Sequence, residues 1–303
     1  MSNKGSIKNL GEGYFADEKF VYYEPMTACA PPQIPCPTKK IIPWADVKTF
    51  EVLDNWDYGY AKDKKHVYWN GKIMKDYDAE TFEILDDGYF RDKNGLYLEH
   101  EKIESFDAET FKIIDKNFKE DKNGIYWSIS QYDSYKIIVG ADSETFEIIN
   151  LFFSKDKNNV YYGTKNLKKI DPETFEILNH YHVKDENNVY WSTGWDYEHK
   201  IIVGADSETF ILENSVLAKD KNSVYYFGKK IEDADAKTFE ILEMGYSKDK
   251  NSVYSSGKKI EDADAKTFEV LSDTKYDHYA KDKNHVYKYG RIVENADPKN
   301  FQP

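Results

Sequence analysis

Cysteine is nearly absent. Cys29 and Cys36 are the only two in 303 residues, so no dense disulfide framework can hold this chain together. They bound the segment Cys-Ala-Pro-Pro-Gln-Ile-Pro-Cys, which can close one small loop in an oxidising compartment or carry two free thiols. With no histidine nearby, the pair is a weak zinc signal. Long apolar runs are missing too: nothing approaches the roughly 18 residues of a spanning helix, and residues 1–20 contain no apolar stretch of signal-peptide length. As written, the chain reads as cytoplasmic, or as periplasmic or extracellular if a leader has been removed. Positive charge is in deficit, with 42 Lys and Arg against 55 Asp and Glu and a net charge of −13. Phosphate binding is driven by Lys and Arg, so nucleic acid is a poor partner and membrane insertion is not expected. A basic protein is the favoured partner, because complementary fields speed encounter and help select partners.

What the chain has in abundance is aromatic surface, 16% of residues with 25 Tyr. Ring bodies must therefore supply much of the core while hydroxyls reach polar partners, and Tyr with Val favours half-buried strands. These residues recur. An Asp-Lys-Asn turn followed by Val-Tyr runs from Asp63 to Tyr68 and returns at Asp92, Asp121, Asp156, Asp185, Asp220, Asp249 and Asp282, with a degenerate copy from Asp17 to Tyr22. Each copy is joined to an Asp-Ala-x-Thr-Phe-Glu-Ile-Leu phrase whose Phe stands at 50, 82, 111, 146, 175, 210, 239, 268 and 301. Successive Phe are 32, 29, 35, 29, 35, 29, 29 and 33 residues apart, a core period of about 29 with insertions.

Residues 81–103 show how one unit reads. Phe82-Glu83-Ile84 alternates as a half-buried strand, Asp86-Asp87-Gly88 is a turn, and Tyr89-Phe90-Arg91 is a second strand. Asp92-Lys93-Asn94-Gly95 is a tight turn whose Asn and Gly tolerate positive φ. Leu96-Tyr97-Leu98 is the third strand and Lys102-Ile103 a fourth, after which Asp107-Ala-Glu-Thr reads as one capped helical turn. Four short strands bury too little surface to fold alone, so neighbouring units must share a core. The expectation is an all-β single repeat domain over 1–303, nine tandem β-meander repeats of 29 to 35 residues stacked as an open curved array, with a closed propeller as the alternative. The units are 7–45, 46–78, 79–107, 108–142, 143–171, 172–206, 207–235, 236–264 and 265–303.

The phrase Asp-Lys-Asn-x-Val-Tyr-Tyr, clearest at 156–162 and 220–226, resembles the bacterial DKNYY repeat family over nearly the whole chain. The first copy, Asp17-Glu-Lys-Phe-Val-Tyr-Tyr23, departs by lacking the Asn. The resemblance implies repeat architecture and no established activity, cofactor or catalytic residue. By analogy, some bacterial repeat proteins of this kind accompany secreted toxins as immunity partners.

No catalytic constellation stands out. The Asp-Lys-Asn turns look like fragments of a calcium loop but lack its glycine and distal Glu, and an Asx-turn explains the same residues. Carboxylate pairs such as Asp86 with Asp87, or Asp262 with Asp264, sit in turns where solvation keeps them ordinary. Of the seven histidines only His180 and His182 are close, a pair that strand geometry puts on one face without a third ligand. There is no Gly-rich phosphate loop and no Gly-x-Ser-x-Gly elbow. No enzyme, cofactor or metal is expected.

The functional clue is a pair of insertions, 128–135 and 192–199, both between the third and fourth strands and both followed by Ile-Ile-Val-Gly-Ala-Asp. The Pro-rich segment 25–37 falls at the same point of the first unit. Tyr132, Tyr135, Trp195 and Tyr197 are thus candidate protein-contact residues on an insertion edge, or rings folded back over the array as a local cover. The reading is a non-catalytic acidic protein-binding repeat protein, most concretely an immunity protein neutralising a basic toxin. A structural or envelope-associated scaffold, or a glycan-binding protein, is the alternative.

Overall fold

The structure is a computed structural model that describes residues 6–25, 38–53, 59–130, 133–193, 198–271 and 278–302. Among them are 36 strands and no helix, arranged as nine four-stranded antiparallel sheets, one inside each repeat read from the sequence. The chain divides into two compact units, Met1–Ile137 with the first four sheets and Ile138–Pro303 with the other five.

Repeat 7 shows why the pattern folds this way. Its strands are Ile211–Leu212, Leu217–Lys219, Val224–Tyr226 and Lys229–Lys230, paired in sequence order. Successive side chains of a strand point to opposite faces, and here both faces are covered. Ala218 and its cross-strand partner Tyr225 pack back onto Val189 and Ile202 of repeat 6, whereas Leu217, Val224 and Ile231 pack forward against Phe239 and Tyr254 of repeat 8. The same division recurs at the end of the chain, where Tyr246, Val253 and Ile260 of repeat 8 meet Phe268, Ala280 and Tyr287. Repeats 7 and 8 therefore each own half of two cores, and either one isolated would expose both halves. The small residue opposite the buried Tyr makes room for the ring: Ala61 faces Tyr68, Ser247 faces Tyr254 and Ala280 faces Tyr287.

The Asp of each Asp-Lys-Asn turn is buried and fully bonded. Asp220 Oδ1 accepts the Asn222 and Ser223 amides at 2.7 Å each, the Asx-turn expected from the sequence. Its Oδ2 accepts the Tyr225 hydroxyl at 2.8 Å and the Asp206 amide at 2.9 Å. Burial alone would raise the Asp220 pKa, but these four bonds hold it below the usual carboxylate range. The Asp206 turn is tied to the hairpin twice more, by Lys221 N–H donating to Thr209 Oγ1 at 3.2 Å and by Lys221 Nζ 2.7 Å from the Asp206 carboxylate. The amide-to-carboxylate bond recurs at Asp63, Asp92, Asp121, Asp156, Asp185, Asp249 and Asp282. One acidic side chain thus locks the two turns at one end of each sheet from the second to the ninth.

Two local expectations are corrected. The Asp-Ala-x-Thr segment is a single turn and not a helix: Thr209 N–H reaches the Asp206 carbonyl at 3.3 Å and its carboxylate at 3.0 Å, and the strand follows directly. The Asn residues of the hairpins do not use positive φ, because the Asp side chain already turns the chain; Gly95 and Gly124 do, at 156° and 140°. Paired left-handed residues occur instead in the two-residue turns between third and fourth strands, as at Phe227 (φ 47°) and Gly228 (φ 68°). A Cβ on Gly228 would lie 2.7 Å from the Trp191 ring, so the missing side chain lets this turn rest on the preceding repeat.

Candidate binding edge

Strands Tyr126–Trp127 and Lys136–Ile137 pair across the 128–135 insertion, and Tyr190–Trp191 and Lys200–Ile201 pair across 192–199. Longer connections here leave the meander intact because the flanking ladder is closed without them. Of the candidate contact residues, Tyr132, Trp195 and Tyr197 lie outside the described residues, as do Cys29 and Cys36. Tyr135 is half-buried and turned back onto the sheet: its hydroxyl donates to the Lys116 carbonyl at 2.7 Å and its ring meets Phe106 edge-on, 5.7 Å between centroids. His199, at the same point of repeat 6, packs between Phe153 and Tyr162 at 5.6 and 5.5 Å.

Beneath Tyr135 lies a residue that sequence reasoning missed. Lys119 stands opposite Tyr126, where other repeats place Ala, Ser, Val or Phe, and its side chain is 0% exposed. Its ammonium donates to the Asp115 carbonyl at 2.6 Å and to Asp87 Oδ2 at 3.4 Å, and faces the Tyr89 and Tyr135 rings at 5.4 and 5.6 Å. Burial lowers the Lys119 pKa and Asp87 partly opposes that; burial together with the neighbouring Tyr89 raises that of Tyr135. Repeat 4 is also the one whose strand pair is reversed, Lys112 facing Glu120, where repeat 3 has Glu83 facing Arg91 and repeat 5 has Glu147 facing Lys155.

The turn after the fourth strand changes character with the insertions. Its first residue is charged in the six repeats without one: Lys75, Glu104, Lys168, Glu232, Glu261 and Glu294. In the three repeats that carry one it is Pro43, Val139 and Val203. Val139 is 74% exposed and Val203 83%, as is Trp44 beside Pro43, and the edge-strand residues Ile41, Ile137 and Ile201 are exposed as well. Single exposed apolar residues are ordinary. The exposed edge-strand Ile is not special to these repeats, since Ile292 of repeat 9 is exposed at the same place, but an apolar first turn residue is confined to the repeats with insertions.

The family model of the DKNYY family matches residues 14–127, 60–194, 132–258 and 246–302, which together run through all nine repeats. The chain belongs to the DKNYY family. Neither the curated proteins nor the solved structures provide a match.

The DKNYY repeat places the remaining candidates as follows. His180 and His182 do not share a face: His180 is exposed before the strand, and His182 is buried where other repeats place Tyr, Phe or Leu. Burial drives the His182 pKa down to about 4, and its Nδ1 lies 3.1 Å from Asn179 Oδ1. Asp87 serves Lys119, and Asp264, drawn down to about 2 chiefly by Lys283, caps its own turn. No cluster of three or more His, Cys, Asp or Glu among the described residues is placed to hold a metal. Lys119 and the 139/203 position were findable by aligning the repeats and asking where a residue breaks its own column.

Proposed function

We propose that this chain is a non-catalytic protein-binding repeat protein that grips a basic partner through the edge strands and turns of its insertion-bearing repeats. An immunity protein occluding a toxin is the most specific form of that reading. The observation that carries it is the exchange of charge for apolar surface at Pro43, Val139 and Val203, in the repeats with insertions and in no others. Apolar anchors in a charged rim are how interface cores are built, and the net charge of −13 supplies attraction for a basic surface.

The test is affinity capture from the native organism with wild type and a Val139→Glu/Val203→Glu variant as baits. Glu occupies this position in repeats 3, 7, 8 and 9, so the fold tolerates it. The expected result is a basic protein retained by wild type and lost by the variant. Equal retention by both, or retention of acidic proteins only, overturns the reading.

A further inference from the structure

Repeat 5 breaks its column in the opposite sense. Where repeats 7 and 8 carry Glu232-Asp233 and Glu261-Asp262 in the turn after the fourth strand, repeat 5 carries Lys168-Lys169. Both lysines are exposed, and neither has a carboxylate within ion-pair distance among the described residues. In a chain of net charge −13, two adjacent lysines in a turn where Glu is the commonest first residue call for an explanation.

These lysines border a depression of about 390 Å³ between the fourth strands of repeats 5 and 6, with Lys165 and Lys200 also on its wall. Its floor is apolar, formed by Leu167, Ile170 and the ring of Tyr190, all buried. The Tyr190 hydroxyl is committed to Asp185 at 2.8 Å and lies 2.7 Å from the Lys169 carbonyl, which fixes the lysine turn to the floor. Among the described residues, one acid lines the site: Glu198, paired with Lys200 at 3.3 Å. The volume lies within the range of small-molecule sites, and an apolar floor with a few polar groups is their usual construction.

We propose that this groove binds a small organic anion, an acidic oxygen group among Lys165, Lys168, Lys169 and Lys200 with an apolar body on Leu167 and Tyr190. The groove shares the Lys200–Ile201 strand with the protein-binding edge, but its occupation by a small anion does not depend on a protein partner. Glu198 holds Lys200 in the free protein and yields it to the ligand.

The experiment is calorimetric titration of the full chain with 2-naphthoate, with uncharged 2-naphthalenemethanol as the control. Saturable binding of one naphthoate is expected, with the alcohol at least about tenfold weaker. Lys168→Glu/Lys169→Asp installs the dipeptide of repeats 7 and 8, a composition the fold already accommodates, and should weaken binding about tenfold or more as two attractive contacts become repulsive. Lys168→Gln should fall between the two, and Glu198→Gln should tighten binding. Absence of saturable binding by wild type, equal affinity in the double variant, or equal binding of the alcohol overturns the proposal.

Discussion

Replacing Asp220 by Asn removes one charge and almost no volume from a site with four hydrogen bonds. The amide oxygen can still accept from Asn222 and Ser223. The new NH2 group, however, faces two donors, the Tyr225 hydroxyl and the Asp206 N–H. Tyr225 has an alternative acceptor in the Gly204 carbonyl at 3.2 Å, but among the described residues the Asp206 amide has no other acceptor. Losing one charge-assisted bond and leaving one donor against another costs about 2–3 kcal/mol. Native-state hydrogen exchange is the suitable assay, because a stacked-repeat chain need not unfold in one step. The amides of Asp206, Lys221, Asn222 and Ser223 should exchange roughly 30- to 150-fold faster, whereas those of Asn158 and Asn159, two repeats away, should not change. The effect is also pH-dependent. The folded pKa of Asp220 lies below its unfolded value, so the stabilisation is fully present above the unfolded value of about 4 and is lost as pH falls through the depressed folded one. The gap between wild type and variant must therefore narrow in acid. Less than a threefold change at neutral pH would refute the locking role assigned to this carboxylate.

Two further outcomes follow from the repeat comparison. Glu186 stands where other repeats carry the lysine that pairs with the turn Asp, as Lys157 does with Asp142 at 2.8 Å; Glu186→Lys should gain up to about 1 kcal/mol in denaturant midpoint measurements at low salt, and the gain should vanish in about 1 M salt. Gly257→Ala places a Cβ 2.6 Å from the Tyr226 ring at φ 73°, and a loss of about 1–3 kcal/mol is expected in the same measurement; an unchanged midpoint would contradict the stacking described.

The period, the four strands of each repeat and the Asp-centred turn were legible because each is written nine or eight times, and repetition averages out local ambiguity. Phe210, Tyr225 and Asp220 announce their burial by recurring. The handedness of individual turns was not legible: the tolerance of Asn94 for positive φ goes unused because the Asp already turns the chain, while the φ-positive pairs fell on Phe227-Gly228 and its equivalents. His182 was misread because two residues of spacing fixes a face only if both lie in the strand, and His180 precedes it. Lys119 escaped because its charge suggests solvent, whereas its column, filled by Ala61, Ser154 and Ala280, demands burial.

The proposed partner surface lies on the insertion-bearing repeats. Hydrogen exchange of the protein with and without its captured partner tests it most directly. Added protection is expected at Lys136–Ile137 and Lys200–Ile201 and in the turns that follow them, with Lys258–Ile260 unaffected. Protection confined to repeats 7 and 8, or none along these fourth strands, would contradict it.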